Sequence, residues 1–353
     1  MRLRPEPGRP LTLAAALAAA CSSAAAAPSR GVSDRAAPVA PEARAPAKRP
    51  RPRAPAPAPI GAANAEGVRK LWEADAGKRG LAVSVSRRDG VAASAAGGGA
   101  SLWALATGKR ARTLDSCAEV VRGGLGFHEG KLVVVCERAV ERWDPRDGAR
   151  LASPPIAEPA VTAAHRSGPR LALAHRDGVV RIVSLAGDAP IEVRVPGPPI
   201  DVKALALTPD GKRLAVAWTQ GSIWWWDTAA PDTPHDLVRY ERECDALAWS
   251  PGGGLLAEEG APSLTTVWTF GERPARRDTL RQGAWLKRLL FTPDERWLVR
   301  AGSEGLELAE IAGPRRVALD ARAPVEDAAF DEGALLLGAI DRDGRLTLWG
   351  AAE

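Results

Sequence analysis

Three stretches of the chain repeat one pattern of apolar and polar positions: VKALALTPDGKRLAVAWTQGSIWWWDT (202–228), CDALAWSPGGGLLAEEGAPSLTTVWTF (244–270) and LKRLLFTPDERWLVRAGSEGLELAEI (286–311). Each has a short apolar run, a turn rich in Pro, Asp or Gly, a second apolar run, a tight turn and a third run. Short apolar runs punctuated by turn residues read as β-strands. Thr208-Pro209-Asp210, Ser250-Pro251-Gly252 and Thr292-Pro293-Asp294 stand 42 residues apart. The spacing predicts strands of one repeated unit, not a succession of unrelated elements.

A second marker extends the repeat over the whole body. The late third-strand position is Trp103, Trp143, Val183, Trp226, Trp268, Ala309 and Trp349, spaced by 40, 40, 43, 42, 41 and 40. Five of these seven positions are Trp, in a chain with 12 Trp in all, so the ladder is not a product of chance. Tight turns precede the third strands at Asp177-Gly178, Gln220-Gly221, Glu304-Gly305 and Asp343-Gly344. A period of this length with about four short strands per unit is the signature of β-propeller blades. The Trp143-Asp144 and Trp226-Asp227 pairs, together with the Leu207–Gly211 turn, resemble the WD40 family over roughly 66–353. No Gly-His pair precedes the first strands, and Ala104, Ser184, Thr269, Glu310 and Gly350 stand where the family carries Asp. The resemblance therefore implies a divergent, WD40-like member. Seven marks predict an all-β, seven-bladed propeller of about 42 residues per blade. The chain ends at Glu353, just after the last third strand, so the final outer strand must come from elsewhere. Gly67–Glu73 has strand composition and is expected to supply it, closing the ring and removing an exposed edge.

The N-terminus follows different rules. Arg2, Arg4 and Arg9 precede a ten-residue apolar run, Leu11–Ala20, about half of what a membrane-spanning helix needs. Leu17-Ala18-Ala19-Ala20-Cys21 resembles the lipobox of bacterial lipoproteins, although Ala18 stands where Leu is usual. That resemblance implies acylation of Cys21, membrane contact through the lipid, and a periplasmic or outer-membrane-associated address. Cleavage within Ala24–Ala27 to give a soluble exported protein, or an incidental cysteine without export, are the alternatives. The expected organisation is an export segment over 1–27, a disordered Pro/Ala/Arg-rich linker over 28–65, and the propeller over 66–353. Residues 28–60 hold nine Pro and nine Ala without apolar periodicity, which favours extended polyproline II over a core.

Composition changes this picture only slightly. With 45% hydrophobic and 26% charged residues, the body can bury a core without disulfide staples. The net charge of +5 comes from residues 1–62, which carry +7, while the remainder carries −2. The basic pI thus belongs to the tail, and no nucleic-acid role is expected of the folded body.

Reactive groups do not converge in the sequence. His128, His165, His175 and His235 lack metal-ligand spacing, and no Gly-x-Ser-x-Gly, phosphate-loop or Cys-x-x-Cys motif occurs. No catalytic, cofactor or metal residue is assigned. Cys136, within Val133–Cys136, reads as a buried strand thiol; with Cys21 acylated, three cysteines remain, which argues against full disulfide pairing. Aligning first strands on Leu207, Trp249, Phe291 and Phe330 puts Lys203, Asp245, Lys287 and Glu326 at the start of the channel-lining strands. Their signs alternate, which weakens any polyanion-binding reading. Trp218 and Trp285 are candidate aromatic anchors near the same face. Lys203, Trp218, Asp245, Trp285 and Lys287 form the expected partner-binding face, since loops over a rigid ring vary freely.

The expected function is a non-catalytic protein-binding scaffold in the cell envelope, a single-chain propeller without cofactor. The alternative rests on Trp103–Lys109, which resembles the strand and turn of quinoprotein-like propellers. That group includes PQQ-dependent redox enzymes and an outer-membrane assembly scaffold.

Overall fold

The computed structural model describes residues 58–153, 160–196, 201–260, 264–271, 273–281, 285–322 and 324–351. The export segment, Cys21 and most of the expected linker lie outside the described residues. No helix among the described residues is long and apolar enough to cross a membrane. The fold is all-β: apart from one 3₁₀ turn at Ala65–Gly67, every regular element among the described residues is a strand.

The strands form antiparallel meanders whose members run inner, second, third, outer. Among the described residues, five sheets have four strands each and one has eight. The eight-stranded sheet is two meanders joined at a single parallel pair of inner strands, Ala163 opposite Arg122. The inner strands are Gly80–Ser86, Val120–His128, Val161–Ser167, Val202–Leu207, Leu247–Trp249, Leu286–Phe291 and Val325–Phe330. Each packs beside its neighbours in sequence, and Val325–Phe330 packs beside Gly80–Ser86, so the inner strands form a ring. The last sheet takes its outer strand from the N-terminal side. Val68–Asp75 pairs antiparallel with Arg345–Ala351, from Val68 opposite Ala351 to Asp75 opposite Arg345. The 67–73 segment expected to fill this place is the one that fills it.

Sequence polarity follows distance from the centre. Second strands are buried on both faces, as in Lys131–Cys136 (KLVVVC), and read as continuous apolar runs. Outer strands such as Arg110–Thr113 (RART) are wholly exposed and polar. All seven ladder positions lie in third strands, where Trp103, Trp143, Trp226 and Trp349 are buried between neighbouring sheets. Each such side chain removes enough apolar surface to contribute on the order of 2–3 kcal/mol. The Thr-Pro-Asp turns recur because they satisfy their own backbone. The Thr208 hydroxyl donates to Asp210 Oδ1 (2.6 Å) and accepts from Arg213 N–H (3.0 Å), and Asp210 Oδ1 also accepts from Lys212 N–H. Gly178, Gly221, Gly305 and Gly344 in the tight turns all have left-handed φ, between 77° and 113°, as those turns require.

Two expectations need correction. The linker, expected to run to residue 65, gives way to packed structure by Ile60. That side chain is fully buried in the cluster containing Trp297, Val299, Leu337 and Trp349, and its N–H donates to Ala334 O (2.8 Å). Cys136 is not a free strand thiol: it is bonded to Cys117, with the two Cα atoms 6.2 Å apart. The inner strand between them bulges at Arg122-Gly123-Gly124, so that Val120 lies directly opposite Cys136 and brings the Cys117 loop alongside. Cys244 is a free, buried thiol.

Candidate functional site

A cavity of about 770 Å³ opens at the end of the ring where the inner strands begin. Its lining includes Arg122, Lys203, Asp245 and Lys287, with Glu119, Glu137, Arg176, Asp201 and Glu243 around them. Lys203, Asp245 and Lys287 lie at this mouth as the strand alignment expects; Glu326, at the equivalent register position, lines the narrow part of the channel beside them.

The backbone explains why these side chains converge. Pairing between inner and second strands skips one residue near the start of most inner strands: Leu81, Thr162, Lys203, Lys287 and Glu326 are the residues left over. A bulge of this kind bends the strand and re-aims the extra side chain. Thr162, Lys203 and Lys287 thus reach the mouth from strand bulges, while Glu119, Glu137, Arg176, Asp201, Glu243 and Asp245 reach it from the loops and turns around them. The inner strand Val120–His128 has the longest skip, and there Arg122 lines the mouth.

Each of the four basic side chains in the lining pairs with an acid. Lys287 Nζ lies 2.6 Å from Asp245 Oδ2, Lys203 Nζ 3.2 Å from Glu243, and Arg122 3.8 Å from Asp245. Arg176 and Glu137 approach at 3.9 Å, and Glu326 meets Arg342 of the neighbouring turn at 2.9 Å. Such a surface has little net field to concentrate one ion, but it offers donors and acceptors of both signs at fixed positions. Beneath it, Glu259 accepts from the backbone N–H groups of Asp245 and Leu286 (both 3.4 Å), tying two neighbouring inner strands together. Burial pushes its carboxyl up to about 7. Glu258, next in line and wholly buried, is also raised by burial; Tyr240 Oη and Trp268 Nε1 both donate to it.

The two tryptophans expected on this face part company. Trp285 is 54% exposed, its backbone N–H donates to Ser303 Oγ (3.1 Å), and the Arg242 guanidinium stacks 3.6 Å from its ring. It sits in a loop leading into an inner strand, outside the cavity lining. Trp218 is buried, and its assignment to a partner-binding face is withdrawn. It ends the second strand Arg213–Trp218, opposite Val202, and packs edge-to-face on Trp224 at 6.3 Å between sheets. Second strands are covered on both faces, so even a terminal residue of one stays inside.

Cys117, Cys136 and Glu141 lie together, their ligand atoms within 4.8 Å of one another. The two sulfurs are bonded to each other and offer no thiolate to a metal. Glu141 instead accepts from Trp143 Nε1 (3.2 Å) and pairs with Arg150 (3.1 Å). His165 Nδ1 accepts from the Leu207 N–H (3.2 Å), and burial brings its pKa down to about 3. Arg122, Glu259 and the Arg242 partner of Trp285 were missed by sequence reading. Arg122 carried a signal in the Gly-Gly that follows it, a bulge motif inside a strand.

The closed ring of meanders defines an all-β propeller. No family model matches the chain. Among solved structures, it is similar to a chain in the crystal structure of the mitotic checkpoint complex, at a TM-score of 0.67 and 18% identity, covering 80% of this chain and 95% of that one. It is also similar to the Myceliophteria thermophila Cps50 (Swd1) β-propeller domain, at a TM-score of 0.64 and 15% identity, covering 81% and 100% respectively. The likeness shows a β-propeller fold.

Proposed function

We propose that the chain is an exported, seven-bladed WD40-like propeller that serves as a non-catalytic protein-binding scaffold in the cell envelope. In this reading one copy is carried on the Pro/Ala-rich tether and anchored through acylated Cys21, and Val68–Asp75 is the closing strand of the seventh blade. The observation that carries it is the mouth itself, where Arg122, Lys203 and Lys287, at irregularities of their strands, are held in pre-formed pairs with the loop acids Asp245 and Glu243. Pre-ordered charges of both signs suit a protein surface, because their side-chain entropy is already lost before docking. The Cys117–Cys136 bond suits an oxidising compartment and so supports export. One of the similar propellers is described as part of a complex, which also favours a scaffold role.

Capture from the envelope fraction by the wild type and by a Lys203→Glu, Lys287→Glu variant tests the reading. The variant should lose the specific partner while keeping its melting temperature. Equal capture by both folded proteins would remove the mouth as the docking face. Fractionation of Cys21→Ser tests the anchor: the variant should leave the membrane, and unchanged partition would favour soluble export.

A further inference from the structure

The channel has a second opening, unlike the first. Below the mouth it narrows to about 30 Å³, room for one or two waters, and then widens to about 320 Å³ where the inner strands end. The wall here is mixed: Trp249, Leu290, Phe291 and Phe330 line it together with two guanidinium groups, Arg166 and Arg288, and the His165 imidazole.

The charges do not cancel. Arg288 approaches the buried carboxylate of Asp327 at 3.4 Å, and Asp327 in turn accepts from the Val83 N–H (2.9 Å). Arg166 has no ion pair among the described residues; Arg166 Nη1 donates to Gly168 O (3.3 Å), and its buried Nε has no hydrogen-bond partner. Glu332, the acid that acts on it through space, already accepts from Ser86 Oγ and Arg87 N–H. Arg166 is half-buried, so its guanidinium stays open to the cavity, and an anion entering there would supply the ion pair that the described residues do not. The position of Arg166 is also built into the backbone. A Cβ on Gly126 would lie 2.2 Å from Arg166 Nε and 2.6 Å from its Cδ, so the guanidinium stem lies across a bare glycine. Because His165 Nδ1 accepts from Leu207, its imidazole proton sits on Nε2, a further donor.

We infer that this second opening binds a carboxylate carried on a small apolar body, with the Arg166 fork, supported by Arg288, taking the carboxylate and the Trp249, Phe291 and Phe330 wall taking the apolar part. An arginine fork matches a carboxylate with two parallel hydrogen bonds, and the cavity volume suits a short acid or the last residue of a peptide. The two sources share this chemistry.

Calorimetric titration of the full-length chain separates the possibilities. Sodium hexanoate should bind, and hexanamide, equal in shape but uncharged, should bind at least about tenfold more weakly, as should inorganic phosphate. A tripeptide ending in leucine with a free carboxylate, compared with its amide, tests the peptide source. Tighter binding of the free-carboxylate peptide than of hexanoate assigns a protein C-terminus, and the converse assigns a free acid. Arg166→Gln removes the fork, and Gly126→Ala displaces it while retaining its charge; each should abolish hexanoate binding. Equal binding of hexanoate and hexanamide overturns the proposal on the wild-type protein alone. Absence of hexanoate binding, phosphate binding as tight as hexanoate, or hexanoate binding that survives either substitution in a folded protein overturns it as well.

Discussion

Ile60 lies in a stretch whose sequence resembles a solvated tether, and it offers a sharp test of where the folded body begins. Its side chain is fully buried in the cluster that joins Trp297 and Val299 of one sheet to Leu337 and Trp349 of the closing sheet. Ile60→Ala deletes three buried carbons. At roughly 0.8 kcal/mol per buried methylene the transfer loss is about 2.4 kcal/mol. The cavity left among large rigid side chains raises the total to about 3–4 kcal/mol. For a body of this size that corresponds to a fall in melting midpoint on the order of 5 °C. Leu71→Ala is the control: Leu71 is 54% exposed on the closing strand, and its loss should change stability by less than about 0.5 kcal/mol. Thermal and urea unfolding of both variants, followed by tryptophan fluorescence, supply the comparison. Equal midpoints for the two variants would show that the packed body starts after residue 60 and would refute this account of the boundary.

Two further outcomes are expected. Reduction of the Cys117–Cys136 bond, or Cys117→Ser with Cys136→Ser, reopens a loop spanning 19 residues and should cost about 3 kcal/mol, read as a lower urea midpoint; an unchanged midpoint would leave the bond without a stabilising role. Burial holds Glu259 at about 7, above its ordinary 4.5, so the native state binds this proton more tightly than the unfolded chain does. The stability this contributes is full below pH 4.5 and is lost as pH rises through 7, and Glu259→Gln should flatten that slope in a pH series of melting curves.

The repeat was legible because blade geometry imposes it. Turn chemistry at Thr208, Ser250 and Thr292 and the buried Trp positions recur once per sheet, so spacing alone located the strands. Counting back from Leu207, Trp249 and Phe291 found the channel mouth for the same reason, since every inner strand begins at the same depth. What escaped depended on contacts between segments distant in sequence. Trp218 read as a strand end, but only the neighbouring sheet covers it. The pairing of Cys117 with Cys136 depends on the Gly123-Gly124 bulge, whose hydrogen-bond register is invisible in composition. Ile60 was masked by its Pro/Ala surroundings, and Arg166 became notable only when Gly126 left space beneath it.

The pairing of Val68–Asp75 with Arg345–Ala351 also orders events during folding. The other sheets are meanders of consecutive segments and can assemble from local chain as it becomes available. The closing sheet joins the two ends of the body, a contact of very high sequence separation, and such contacts slow folding because loop closure precedes any reward. Until residue 351 has been made, Val68–Asp75 has no partner and the ring cannot shut. The latch is held by Val68–Asp75 and set by Arg345–Ala351, so a nascent chain can carry nearly all the described sheets and still be open.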